Sequence, residues 1–146
     1  MATQFNNFYL ASGGSLALSF GTSATRVYGS VDADTVTIAA GVTVVLDGSF
    51  NRGNDTIKFL GDAASYTIVR VNASTVRVTD AAGTSVTIPV GSAGTKIEFA
   101  DATRTLSGSS TGILLGNQSV TATPLALAAG AAPAPVENYV LSVIAA

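Results

Sequence analysis

The chain has 146 residues, of which 47% are apolar and only 11% charged, with 7 basic against 9 acidic side chains and a net charge of -2. That length fits one domain able to bury a core, and the apolar content excludes a wholly disordered chain. The low basic count argues against a phosphate-neutralising surface, and so against nucleic acid as a partner. With no Cys and no His, disulfides, thiol nucleophiles, Cys/His zinc sites and His-centred triads are all excluded.

The amino end, Met1 to Leu10, has neither the positive charge nor the apolar run of a signal peptide. No segment approaches the ~20 consecutive apolar residues of a membrane span. Phe5, Phe8, Tyr9 and Leu10 predict a strand-forming arm within residues 1–24, interrupted at Ser12-Gly13-Gly14. A β domain is expected over residues 25–123. Thr, Val and Ile together number 41, and 15 glycines punctuate them at short intervals, which suits pleated sheet and leaves little room for helix.

Within that domain the first half echoes itself. Gly29-Ser30-Val31 followed by Asp34-Thr35-Val36-Thr37-Ile38 resembles Gly48-Ser49-Phe50 followed by Asp55-Thr56-Ile57-Lys58-Phe59. A spacing of about 20 residues is that of a supersecondary unit stacking on its neighbour. Further on, Thr75-Val76-Arg77-Val78-Thr79 alternates strictly, as do Val86, Ile88 and Val90, then Ile97 and Phe99 with Lys96 and Glu98 outward. Asp80-Ala81-Ala82-Gly83 predicts a hairpin loop with glycine at positive φ, and Asn72-Ala73-Ser74 a second tight connection. Residues 124–135, holding three of the four prolines, read as a Pro/Ala linker. Residues 136–146 read as a terminal strand that must fold back, be covered by a partner or be recognised by an export apparatus. The expected fold is all-β: short β-roll or solenoid-like rungs, then antiparallel hairpins in a sandwich-like arrangement, with extended strand-forming ends.

The strongest chemical signal is Gly53-Asn54-Asp55-Thr56-Ile57, half of a nonapeptide in which carbonyl and Asp oxygens bind calcium in a parallel β-roll. Asp32, Asp34, Asp47, Asn51, Asn54 and Asp55 are the candidate ligands, and calcium is the one cofactor they point to. The alternative is structural: an Asp that caps its turn by hydrogen-bonding backbone. No enzyme is expected. The Asp-Thr pairs lack the following glycine of an aspartic-protease turn, Lys58 and Lys96 sit at outward strand positions, and Gly91-Ser92-Ala93-Gly94-Thr95-Lys96 has the wrong spacing for a phosphate loop.

The block Val45-Leu46-Asp47-Gly48-Ser49-Phe50-Asn51-Arg52-Gly53-Asn54-Asp55-Thr56-Ile57, with Ala64-Ser65-Tyr66-Thr67, Thr84 to Gly91 and Phe99 to Leu106, resembles a module of bacterial surface proteins. Such modules occur in type I-secreted proteins of the RTX, S-layer and adhesin-like kinds. The resemblance spans roughly residues 25 to 107. It implies an extracellular location, a scaffold or adhesive role and an uncleaved carboxy-terminal export signal, to which Tyr139 to Ala146 is similar.

The expected function is that of a secreted structural subunit, at the bacterial surface, that assembles into a filament or surface layer by strand complementation. Its partners would be copies of itself, with cell-surface or matrix components besides. Phe5, Phe8, Tyr9 and Leu10 at one end, and Tyr139, Val140, Leu141, Val143 and Ile144 at the other, are the candidate interface residues. The alternative is a calcium-binding adhesion module that does not polymerise.

Overall fold

Short runs of β-branched residues separated by Gly, Asp and Asn build fourteen strands among the described residues. The structure, a computed structural model, describes residues 5–18, 24–52 and 54–130. In chain order the strands are β1 (Phe5–Tyr9), β2 (Ser15–Leu18), β3 (Ala24–Tyr28), β4 (Thr35–Ile38), β5 (Thr43–Leu46), β6 (Thr56–Phe59), β7 (Tyr66–Asn72), β8 (Thr75–Asp80), β9 (Ser85–Pro89), β10 (Thr95–Glu98), β11 (Thr103–Ser109), β12 (Gly112–Leu115), β13 (Gln118–Val120) and β14 (Leu125–Ala126). Two short 3-10 turns, Gly48–Asn51 and Ala63–Ser65, precede β6 and β7.

They form two seven-stranded sheets, ordered β1-β3-β5-β9-β8-β7-β14 and β13-β12-β11-β10-β6-β4-β2. The first half is a parallel roll in which the chain lays a strand alternately in each sheet. Phe5 lies beside Ala24 and Thr25 beside Val44, a step of 19 residues. Ser15 lies beside Thr35 and Thr35 beside Thr56, steps of 20 and 21. The sequence echo is therefore a stack of rungs. A fourth rung, β9 and β10, continues it in parallel on β5 and β6. The β7–β8 hairpin is inserted ahead of that rung, and β8 then pairs antiparallel with β9. After β10 the second sheet also turns antiparallel, through the meander β11-β12-β13. All-β rungs followed by hairpins is thus the architecture found.

Alternation decides what each strand buries. Val36 and Ile38 of β4, Ile57 and Phe59 of β6, Val76 and Val78 of β8, and Val86 and Ile88 of β9 are all 3% exposed or less. Their intervening neighbours face outward, because successive side chains on a strand point to opposite faces. Each such Val or Ile contributes ~1.5–3 kcal/mol of transfer free energy. Phe50, carried inward by its 3-10 turn, is fully buried. Phe59, Tyr66 and Phe99 form a cluster with centroids 4.9–5.5 Å apart.

Two expected boundaries are corrected. Residues 5–18, read as an arm ahead of the domain, are its first rung, because β1 and β2 pair with β3 and β4. Residues 124–130, read as linker, belong to the fold: β14 pairs with β7, Leu127 is 3% exposed, and the Gly130 amide donates to Asp101 Oδ2 at 2.8 Å. Local composition could not reveal either, since both depend on distant strands supplying a partner.

Candidate functional site

Two places collect the residues singled out by the sequence: the corner ahead of the second-sheet strands, and the edge formed by β1 and β2.

At the corner, Gly14, Asp34, Asp55 and Thr95 occupy equivalent positions, each just before or at the start of a strand. The backbone ladder runs through them: the Thr35 amide donates to the Gly14 carbonyl, Thr56 to Asp34 and Lys96 to Asp55, each at 2.9 Å. The carboxylates extend that ladder one residue beyond the strands. Asp34 Oδ1 accepts from the Gly14 amide at 3.0 Å, and Asp55 Oδ1 from the Asp34 amide at 2.9 Å. The Ser30 amide and hydroxyl also donate to the Asp34 carboxylate. The buried Asp34 amide has no strand partner here and would otherwise be unpaired, whereas the Gly14 amide also donates to the Ala11 carbonyl at 2.8 Å. Thr95 in the fourth rung instead donates its hydroxyl to the Phe50 carbonyl at 3.3 Å.

Asp34 and Asp55 are 1% and 2% exposed. Burial pushes the Asp55 carboxyl above its ordinary value; the Asp34 amide partly offsets this, and the nearby Asp34 charge raises it further. Asn54, beside it, adopts φ 67°, a left-handed conformation that Asn tolerates better than most residues. Asn54, Asp55, Gly94, Lys96 and Thr105 line an open cleft of about 210 Å³. It offers one carboxyl, one amine and one hydroxyl.

The other candidate calcium ligands are dispersed. Asp32 and Asn51 are exposed. Asp47 caps the first 3-10 turn, its Oδ2 accepting from the Ser49 amide at 3.1 Å. Among the described residues no group of three or more carboxylates stands close enough to hold a metal ion. Of the six candidates, the fold brings together Asp34 and Asp55, with Asn54 adjacent, and both Asp34 oxygens and Asp55 Oδ1 take backbone donors.

The edge gathers the amino-terminal interface candidates. β1 and β2 are outermost in their sheets at the same end of the roll. Phe8 follows Val27 onto the inner face and remains 43% exposed; Tyr9 faces outward, 73% exposed, stacked on Tyr28 at 4.5 Å. Leu10 packs partly against the core, and its amide donates to the Tyr28 carbonyl at 2.9 Å. The amino-terminal strand is thus paired with its own sheet on one side. Among the described residues no strand pairs with the other side of β1 or β2. Tyr139, Val140, Leu141, Val143 and Ile144 lie outside the described residues.

Sequence reasoning missed Asp101. Its Oδ1 accepts from the Ala63 amide and its Oδ2 from the Gly130 amide, both at 2.8 Å, and these bonds hold its carboxyl below the usual range. It lies in the Phe99 to Leu106 block, which assigns it no role, so only the approach of those two segments reveals it. Among the described residues no helix is long and apolar enough to cross a membrane. Compared with known proteins, the chain matches no family model, no curated protein and no solved structure.

Proposed function

We propose that this protein is a secreted structural subunit that assembles with copies of itself into an extracellular filament or surface layer, edge strands of one copy being completed by strands of the next. The observation that carries the reading is the edge of β1 and β2. The two strands end their separate sheets at the same end of the roll, each with one flank unpaired among the described residues, and the inner side chains Phe8, Leu16 and Leu18 close the core only partly. An unpaired strand flank presents amides and carbonyls that another chain can complete, and alternate side chains give the joint its apolar burial. The apolar pattern of Val136 to Ile144 supplies a further strand-forming segment for the same use. The resemblance to modules of exported surface proteins supports an extracellular setting, and a cysteine-free chain joins copies by ladder bonds and burial alone.

Sedimentation velocity and negative-stain microscopy of the intact chain test the reading. Assembly that grows with concentration and persists in EGTA is expected. A single species at every concentration overturns it.

A further inference from the structure

The two ends of the roll are finished differently. At the far end, β13 and β14 are three and two residues long. Val120 and Leu127 there are 1% and 3% exposed, and the Arg70 amide donates to the Thr121 carbonyl at 2.7 Å, tying the end of β13 to β7 of the other sheet. Very short, closed-off outer strands are one way proteins blunt a sheet edge against pairing.

Among the described residues, the near-end strands β1 and β2 carry none of these devices. β1 and β2 are five and four residues long. The sequence reaches Arg26, on β3, before its first charged side chain, and no proline precedes it. Charged residues and proline are the usual protection of an edge. The main chain is also oriented for pairing. The Leu10 amide bonds to β3, so by alternation the amides of Asn7 and Tyr9 point away from it. The Gly14 and Leu18 carbonyls bond to the Thr35 and Ala39 amides, so the main-chain groups of Ser15 and Ala17 point outward from β2.

We propose that this edge is an isologous interface at which a second copy of the chain pairs β1 with its own β1 and β2 with its own β2 about a two-fold axis. The proposal rests on the self-assembly reading above and names its first joint. A two-fold axis makes each new pair antiparallel, and because β1 and β2 end their sheets on the same side, one operation extends both sheets at once. It also sets the residue at the axis beside its own copy and the others beside residues an equal distance past it, so a charged residue near the middle of either strand would face a like charge. A stretch with no charged side chain before Arg26 is what such a joint requires. The joint would cover the part-exposed Phe8, Leu16 and Leu18 against their equivalents. The blunted β13 and β14 make a poorer mate for this edge than its own copy does. The pair is closed at this joint, and growth beyond it uses a contact away from β1 and β2.

The absence of cysteine makes the test clean, because an isologous joint is the arrangement that links one substituted position to itself. Asn7→Cys on β1 and Ala17→Cys on β2 replace exposed residues; Ser119→Cys on β13 and Ala126→Cys on β14 are the comparison. In a glutathione redox buffer, the near-end variants should give at least about tenfold more disulfide-linked homodimer than the far-end variants. The double variant Asn7→Pro/Ala17→Pro, which removes two outward amides and spares the bonds to β3 and β4, should weaken association at least about tenfold while keeping the wild-type circular dichroism and melting temperature. Should the wild type assemble while near-end cysteines link only to far-end ones in mixtures, the two-fold joint is wrong and the subunit reading stands. Should the wild type stay monomeric at about 1 mM, with no position linking, both fall.

Discussion

At the scale of single residues, the molecule is stitched together by carboxylates that accept backbone amides where strands end. Asp34 takes the Gly14 and Ser30 amides, Asp55 the Asp34 amide, and Asp101 the Ala63 and Gly130 amides. Replacing Asp55 with Ala leaves the buried Asp34 amide unpaired and should cost about 1–3 kcal/mol in urea unfolding at neutral pH. Asp55→Asn keeps an acceptor and sheds a buried charge, so it should be neutral or stabilising there. The two raised and lowered carboxyls act oppositely with pH. Between the ordinary value of 3.8 and its raised folded value, Asp55 binds more proton folded than unfolded, so its contribution to stability falls as pH rises through that window. Asp101, held low by its two amides, contributes stability above 3.8 that is lost as pH falls through its folded value. Stability of Asp55→Asn against pH should therefore lack the decline seen in the wild type just above 3.8, whereas Asp101→Asn should lack part of the acid-side loss. Because both Asp34 oxygens and Asp55 Oδ1 already accept backbone amides and no group of three carboxylates stands close together among the described residues, adding calcium or EGTA should leave the melting temperature unchanged; a calcium-dependent rise of several degrees would restore the metal reading of this corner.

At the scale of elements, the rungs were legible because their signals are local. The alternation of Val36 and Ile38, or Val76 and Val78, survives as buried and exposed faces, and the Asp-to-Asp spacing of 21 residues becomes one hydrogen bond. The loop after β8 is equally local: Gly83 takes φ +90°, and Asp80 accepts from the Ala82 and Thr84 amides at 2.9 Å. Asp80→Ala should cost about 1–2 kcal/mol by thermal melting. Other elements depend on approach from far along the chain. A Cβ at Gly91 would lie 2.1 Å from the Asn51 carbonyl oxygen, so Gly91→Ala forces the backbone between β9 and the first 3-10 turn apart and should lose more than about 3 kcal/mol, read as a lowered urea midpoint. Nothing in the sequence near Gly91 distinguishes it from the glycines that merely punctuate turns.

At the scale of the whole molecule, the parallel rungs of the described residues give a stack with two dissimilar ends, one with β1 and β2 unpaired on their outer flanks and one finished by the very short β13 and β14. Among the described residues no strand pairs with the outer flanks of the first rung, and an unpaired flank calls for protection or a partner. Substituting Ala17 with Lys should place a charge on that edge and reduce assembly several-fold in sedimentation, while Thr87→Lys, in a central strand, should leave assembly unchanged. Equal effects from both would point to general charge repulsion and away from a joint at β1 and β2.

Composition and short-range pattern alone settled that this chain is β-rich and which side of most strands is apolar, and pointed to a repeat in its early segments, since those properties follow from steric preference and the two-residue period of a strand. Only the tertiary structure decided that the β7–β8 hairpin interrupts the roll ahead of its fourth rung, that residues 5–18 and 124–130 belong to the sheets, and that Asp101 joins two distant turns. Each of these is a choice of partner between segments tens of residues apart, made by competition among many similar apolar strands, and a strand's own sequence names its faces without naming its neighbour.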